Sequence, residues 1–481
     1  MRKIFTIIFS GIFVFNSLSC NSENIKPNVI FILVDDLGWN DLGYSGSKFY
    51  ESPNIDRLSN ESFEFINAYS SSPVCSPTRA SIMTGKHPAR VNITDWIPGR
   101  DPKDKPLLGP QDFHELPLEE ITIAEKLKEN GYKTFYAGKW HLGAQEFYPE
   151  DNGFDVNVGG FEKGSPMGGY YSPYKYPKLS DGPEGEYLTD RLTNESITLI
   201  KNHDKKKPFV LFLSFYNVHT PIQANLKHID YFNEKLSKMN DNLVRTKKEG
   251  QAITRLNQTN SKYASMVYAV DQNVGKLIKS LKDNGLYDNS LIIFTSDNGG
   301  LSTQKRISPT SVYPLTAGKG WLYEGGIKIP QLIKTPRKTK NVKIKDLTVS
   351  HDLFPTILDF AGIKHEIDID GVSLMPRLKG GYKIDREDIF WHFPHYHGSL
   401  WKPGSSIRSG DWKLVFHYES NHAELFNLKD DPGELNDLSL SFNEKKQTLL
   451  KKLNKLKDQT NANSVSINPN FKKDEILILK D

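Results

Sequence analysis

Three uninterrupted apolar runs break the polar texture of the chain: Asn28–Val34 (NVIFILV), 208–216 (PFVLFLSFY) and Ser290–Ser296 (SLIIFTS). Short runs of this kind, rich in β-branched residues and without alternation, predict strands covered on both faces, as in a parallel sheet. Between the last two, Tyr263, Val267, Val270, Val274, Leu277, Ile278 and Leu281 recur at helical spacing, and Gly285 follows as a stop signal. TIAEKLKENGYKTFYAGKWHLG repeats the arrangement: a short amphipathic helix, a glycine cap at Gly131, then a strand around Tyr132 to Tyr136. The fold class expected is α/β, a large and mostly parallel central sheet flanked by helices.

Past residue 380 the pattern changes. GDWKLVFHY (410–418) reads as a strand after a turn, and ELFNLKDDPGELNDL as a loop carrying Pro432 and Gly433. FNEKKQTLLKKLNKLKD reads as a basic amphipathic helix whose lysines form a solvated face, with contact to an anionic glycan as the alternative. A smaller C-terminal α+β subdomain is therefore expected over 381–481, after a main domain over 21–380.

At the other end, Arg2 and Lys3 precede an apolar stretch over 4–15 and small residues up to Cys20. This predicts a secretory signal over 1–20, since a membrane span needs about 20 apolar residues. Cys20 is placed as the lipidated cysteine of a bacterial lipoprotein, with ordinary cleavage near Ser19 as the alternative. Either outcome means export, to the periplasm or as an outer-membrane lipoprotein.

Composition narrows the field. Hydrophobic residues at 37% and charged residues at 25% describe an ordinary globular protein. A formal charge of +4, from 62 basic and 58 acidic residues, argues against nucleic acid or an anionic membrane surface as partner. The chain has two cysteines. With Cys20 lipidated or removed, Cys75 has no partner for an internal disulfide, so it is either a buried thiol or a chemical group.

Each buried-looking strand runs into residues able to carry chemistry. They are Asp35-Asp36, Lys139-Trp140-His141, Asn217-Val218-His219-Thr220-Pro221 and Asp297-Asn298-Gly299-Gly300. In open α/β sheets functional groups gather beyond the carboxyl ends of the strands. Taken singly these residues have structural readings: a helix cap, a turn, a satisfied core histidine. Together, at matching positions, they outline one site.

Its three carboxylates and an amide oxygen suit a hard divalent cation, calcium before magnesium, rather than zinc. Three carboxylates in one pocket repel one another strongly without such an ion. Arg79, Lys139, His141, His219 and Lys319 add positive charge, which fits a phosphate or sulfate ester. In SSPVCSPTRASIMTGKHPAR (71–90), Pro77 stands where a helix can begin, so Cys75 falls at or just before a helix N-terminus, where an anion is favoured. A thiolate there could act as a nucleophile, but an ion that prefers oxygen makes it an odd choice.

Cys75-Ser76-Pro77-Thr78-Arg79, continued by Ala80-Ser81 and Thr84-Gly85, resembles the Cys-x-Pro-x-Arg core of the type I sulfatases. The similarity runs from about Pro27 into the C-terminal subdomain. It implies an alkaline-phosphatase-like fold and a cysteine converted by a formylglycine-generating maturation enzyme to formylglycine, an aldehyde hydrated to a gem-diol. It also implies one calcium ion held by Asp35, Asp36, Asp297 and Asn298 with an oxygen of the modified Cys75. That oxygen would attack sulfur and release the alcohol. Arg79 and Lys139 would hold the diol and the sulfate oxygens. His141 would take a proton from the second hydroxyl, expelling sulfate and restoring the aldehyde. His219 and Lys319 would bind sulfate and protonate the leaving oxygen.

Specificity is expected in loops. The segments 92–117, 161–187 and 390–412 are long and rich in rings and hydrogen-bonding groups. Asp95, Trp96, Arg100, His392, His395, His397 and Arg408 are the candidates for sugar contact, with loop packing as the alternative. Export and this loop style resemble bacterial sulfatases that forage on sulfated polysaccharides. The expected substrate is a sulfated galactose or related unit of an algal glycan such as carrageenan or ulvan, with a host glycosaminoglycan carrying a sulfated N-acetylhexosamine as competitor. Two other classes remain: a formylglycine phosphodiesterase or phosphonate monoester hydrolase, and a glycan-binding surface lipoprotein with an inactive site.

Overall fold

Asn28–Val34 (β1) is buried along its whole length. Its side chains alternate between two cores: Val29, Phe31 and Leu33 enter one, and Ile30, Ile32 and Val34 the other. A strand serving two cores needs apolar residues at every position, which explains its unbroken run. The structure, a computed structural model, describes residues 26–100, 102–336 and 340–471; the signal segment and Cys20 lie outside the described residues.

Seven more strands complete the central sheet: Phe63–Phe65 (β2), Lys133–Gly138 (β3), Val156–Val158 (β4), Phe209–Phe215 (β5), Ser290–Ser296 (β6), Gln331–Lys334 (β7) and Val342–Ile344 (β8). Their spatial order is β8-β2-β7-β6-β1-β5-β3-β4. β1 pairs in parallel with both β5 and β6, and β7 runs antiparallel to β6 and β2. The architecture is the mostly parallel α/β sheet expected. Because β1 lies between β5 and β6, the connections diverge at its carboxyl end and open a crevice there.

Helices cover both faces. Cys75–Thr84 (α1), Ile123–Glu129 (α2) and Leu353–Phe360 (α5) pack on the Phe31 side; Leu188–Asn202 (α3) and Ser261–Asp283 (α4) pack on the Ile32 side. Local chemistry starts and stops them. The Thr122 hydroxyl accepts from Glu125 N at 3.2 Å and the Glu125 carboxylate accepts from Thr122 N at 2.7 Å, a reciprocal cap for α2. α4 ends two residues before Gly285, which takes the left-handed conformation.

A second sheet is built from Asp388–Phe393 (β9), Gly404–Ser409 (β10), Trp412–His417 (β11) and His422–Asn427 (β12), antiparallel in chain order. The segment ELFN, read from sequence as loop, is the end of β12, because pairing with β11 outweighs its polar composition. On one face Phe390, Ile407 and Leu425 pack against Leu449 and Leu453 of Asn443–Gln459 (α6). On the other, Trp391, Val415 and Phe426 share a core with Tyr69, Val74, Leu322 and Ile327, from the segments that flank the crevice.

Candidate active site

Backbone contacts tie the strand ends together. Asp35 N donates to Asn217 O at 2.8 Å, Val218 N donates to Asp35 O at 2.6 Å, and Asp36 N donates to Asp297 Oδ1 at 3.2 Å. The loops after β1, β5 and β6 therefore form one rigid floor. Asp36 and His141 both have φ of 61°, a left-handed conformation that costs a non-glycine residue about 1 kcal/mol. Such outliers persist only where the surroundings hold them in place.

Charge on this floor is fully interior. Lys139 Nζ donates to Asp35 Oδ2 at 2.8 Å. Lys319 Nζ lies 2.7 Å from Asp36 Oδ1, and Asn298 Nδ2 donates to the same oxygen at 2.8 Å. Arg79 sends Nε to Asp297 Oδ2 at 2.9 Å and Nη1 to both Lys139 O and Ser214 Oγ at 2.7 Å. Burial pushes the Asp35 carboxyl well above the usual range, with Lys139 opposing and the neighbouring carboxylates reinforcing the shift. Asp36 is also buried, yet Lys319 and His219 hold it well below that range. One of the clustered carboxylates is thus driven toward its neutral form.

That strain is what a bound cation relieves. Asp35 Oδ1 and Asn298 Oδ1 are buried oxygens without a hydrogen-bond partner. Asp35, Asp36 and His219 bring ligand atoms within 4.8 Å of one another. The donor set of Asp35, Asp36, Asp297 and Asn298 is all oxygen and fits a hard divalent ion.

Cys75 opens α1, the position its Pro77 signal predicts, and every residue of that helix is buried. Its Sγ lies 3.3 Å from His141 Nδ1. His141 Nε2 donates to Ile97 O at 2.5 Å, so Nδ1 carries the free lone pair. Burial and the Lys139 charge push this imidazole well below its ordinary pKa, and it stays neutral. His219 Nδ1 donates to Thr220 O at 2.7 Å, leaving Nε2 toward Asp36 at 3.8 Å; burial and Lys319 lower its pKa to about 3. Asp36, Cys75, His141, His219 and Lys319 line a single cavity of about 710 Å³.

The chain matches the model of the family described as Sulfatase over residues 27–363. It belongs to the sulfatase family. This sulfatase also matches, over residues 317–462, the model described as N-sulphoglucosamine sulphohydrolase, C-terminal. A protein named Sulfatase from Formosa agariphila is 30% identical, covering 95% of this chain and 93% of that one. The N-acetylgalactosamine-6-sulfatase of Mus musculus is 28% identical over 88% of this chain and 84% of its own. Among solved structures, that of Ps i-CgsB in complex with k-i-k-neocarrahexaose superposes with a TM-score of 0.72 at 29% identity, covering 94% and 96% of the two chains. The protein is accordingly a sulfuric ester hydrolase. The phosphonate monoester hydrolase of Agrobacterium radiobacter, 20% identical with a TM-score of 0.62, shares the fold.

Of the residues expected to touch sugar, Trp96 and His397 line the sulfatase's cavity. The others do not. Asp95 is buried and accepts Trp96 N and Arg100 N, capping its own turn, while Arg100 is exposed beside it. His392 is spent between Ser405 Oγ and Asn463 O, and His395 meets Thr94 Oγ1 at 2.8 Å. Arg408 binds the Tyr69 hydroxyl and Gly410 O. His392, His395 and Arg408 thus join segments of the fold. The cavity instead receives His114, Glu115, Glu162, Lys163 and Gln304, which sequence reasoning did not single out. The first four lie in the two long loops read as specificity segments; Gln304 carries no sequence signal.

Proposed function

We propose that this sulfatase is an exported enzyme that removes sulfate from a carbohydrate, a sulfated galactose or related unit of an algal polysaccharide or its oligosaccharides. The observation that carries the reading is the convergence of Cys75, His141, His219 and Lys319 on one cavity with an oxygen-rich floor. Its volume of about 710 Å³ accommodates an oligosaccharide end rather than a small anion alone. The neighbour crystallised with a neocarrahexaose supports the substrate class. The export signal read over 1–20 supports the location, with Cys20 as the lipid anchor.

Residue 75, once converted by a maturation enzyme to formylglycine, would supply a hydrated aldehyde, one oxygen of which would bond to sulfur as the S–O bond to the sugar breaks and the alcohol leaves. Asp35, Asp36, Asp297 and Asn298 would hold a calcium ion, which would supply positive charge at the floor of the site. Everything else is done by side chains in fixed positions. Arg79, held at three points, keeps a buried guanidinium one helical turn along α1 from residue 75. Lys139, paired to Asp35, adds a buried ammonium just past the end of β3. Lys319 carries a proton, because Asp36 raises its pKa against the effect of burial, and faces the cavity where the leaving oxygen would emerge. His219 presents Nε2 to the same space, and a proton arriving there is stabilised by Asp36. His141 offers its Nδ1 lone pair to residue 75 and so accepts the proton that releases sulfate.

A panel of defined sulfated oligosaccharides, read by sulfate release, tests this reading. Turnover of galactan oligosaccharides is expected. Preference for sulfated N-acetylhexosamine is the second reading, favoured by the N-acetylgalactosamine-6-sulfatase relative. Faster cleavage of aryl phosphate diesters than of aryl sulfates would overturn both.

A further inference from the structure

The cavity receives one ring from the C-terminal sheet. His397 stands in the turn after β9, beside the segment that carries Lys319. Gly320 has φ of 83°, and a Cβ on it would overlap His397 Nδ1, so the imidazole is packed onto the backbone one residue from Lys319. The turn is locked from several directions. His397 N donates to Trp401 O at 3.2 Å, Leu400 N donates to His397 O at 2.9 Å, and Trp321 Nε1 donates to Ser399 O at 3.0 Å. Trp321 and Trp401 also meet edge to face at 5.7 Å.

Its hydrogen bonds define the tautomer. Ser399 N donates to His397 Nδ1 at 3.2 Å, and the Ser399 hydroxyl approaches the same nitrogen at 2.7 Å. A backbone N–H can only donate, so Nδ1 is an acceptor and the ring proton sits on Nε2. No partner for Nε2 exists among the described residues. Burial and the neighbouring Lys319 lower the ring's pKa to about 3, so it stays neutral.

We infer that His397 is a specificity residue, whose Nε2–H donates to an uncharged oxygen of the sugar unit, a hydroxyl or ring oxygen adjoining the sulfated carbon. A neutral donor fixed beside the Lys319 ammonium separates two tasks. The cation attends to the sulfate, and the imidazole reads the carbohydrate next to it. A group that must hydrogen-bond the substrate discriminates against analogues without the matching oxygen, because its own donor is then left unmet. The inference rests on the carbohydrate reading above.

The test uses the matured full-length enzyme with two substrates, a sulfated galactan oligosaccharide and 4-nitrophenyl sulfate, which has no sugar oxygens. His397→Ala is expected to lose at least tenfold more kcat/KM on the oligosaccharide than on the aryl sulfate. His397→Gln, which can return an N–H near the Nε2 position, should recover a large part of that difference and guards against a folding defect in the alanine variant. Equal losses on both substrates, or no recovery with glutamine, would overturn the role of His397 alone. A wild-type enzyme that cleaves the aryl sulfate and none of a sulfated oligosaccharide panel would overturn the carbohydrate reading, and this inference with it.

Discussion

Cys75 Sγ stands 3.3 Å from His141 Nδ1, and the opposite nitrogen of that ring is committed to the carbonyl of Ile97. The imidazole therefore has one free lone pair, aimed at the residue proposed to carry the nucleophile. Gly164 completes the clamp, since a Cβ there would overlap the His141 ring. The pair divides the reaction into two halves with separate signatures. Cys75→Ala should abolish turnover while leaving the melting temperature within a few degrees. His141→Ala should give a burst of about one equivalent of nitrophenol from 4-nitrophenyl sulfate, followed by turnover slowed at least hundredfold. Rapid-quench kinetics distinguishes these outcomes; steady turnover without a burst would remove His141 from the second half.

Arg79 has no solvent to fall back on. Its guanidinium meets Asp297, Ser214 and the Lys139 carbonyl at once. Arg79→Lys keeps the charge but not the fork, so kcat/KM should fall by two orders of magnitude or more. Arg79→Leu leaves Asp297 buried without its partner, and urea unfolding should show a loss of about 3–5 kcal/mol.

Chelation should be felt in stability as well as in rate. Removing a divalent ion from Asp35, Asp36 and Asp297 restores their mutual repulsion, so EGTA treatment should lower the melting temperature by a few degrees. Calcium should restore both temperature and activity. Zinc should restore them less well, because the oxygens of Asp35, Asp36, Asp297 and Asn298 suit a harder ion. A melting curve indifferent to EGTA and calcium would argue against an ion at this site.

Lys413, on β11, ties the C-terminal sheet to the segment that follows Lys319. Its ammonium, fully buried, lies 3.0 Å from Glu324 Oε1 and 2.7 Å from Glu434 Oε1, and Tyr69 donates to Glu324 Oε2 at 2.7 Å. Glu324 lies five residues beyond Lys319, so this cluster anchors the segment that reaches the cavity. Lys413→Met leaves two carboxylates facing each other in the interior and should cost about 3–5 kcal/mol by calorimetry or urea unfolding.

Acid should destabilise the protein through its buried histidines. His87 accepts Ala89 N and donates to Phe390 O, stacked on the Phe390 ring at 4.0 Å, so a second proton has no partner. Burial lowers its pKa to about 3, and that of His351 likewise. Each folded pKa lies below the unfolded value of about 6.5, so the unfolded chain binds more protons as pH falls. Stability should be complete above about pH 6.5 and decline below it, by up to about 1.4 kcal/mol per pH unit for each such histidine. His87→Phe should flatten the slope between pH 6.5 and 4, whatever its absolute stability; an unchanged slope would count against this origin.

The central strands were legible because burial on both faces demands apolar residues at every position, and only β1, β5 and β6 have that length. The short strands β2, β7 and β8 lack the signal: they are stabilised by pairing with neighbours far along the chain. The floor was legible for a related reason. Parallel strands deliver their carboxyl ends to one edge, so polar residues just past each apolar run had to meet. The loops were different. His392, His395, His397 and Arg408 share one segment and similar chemistry, yet only His397 lines the cavity. His395 is taken by Thr94, 301 residues away, and Arg408 by Tyr69, 339 residues away. A side chain's destination there depends on which distant partner satisfies it first, and that partner is brought near only by the tertiary packing. Sequence by itself determined the central strands, the edge at which they end and the residues that gather there; the folded structure alone decided where the short strands pair and which loop residues were left free to face a substrate.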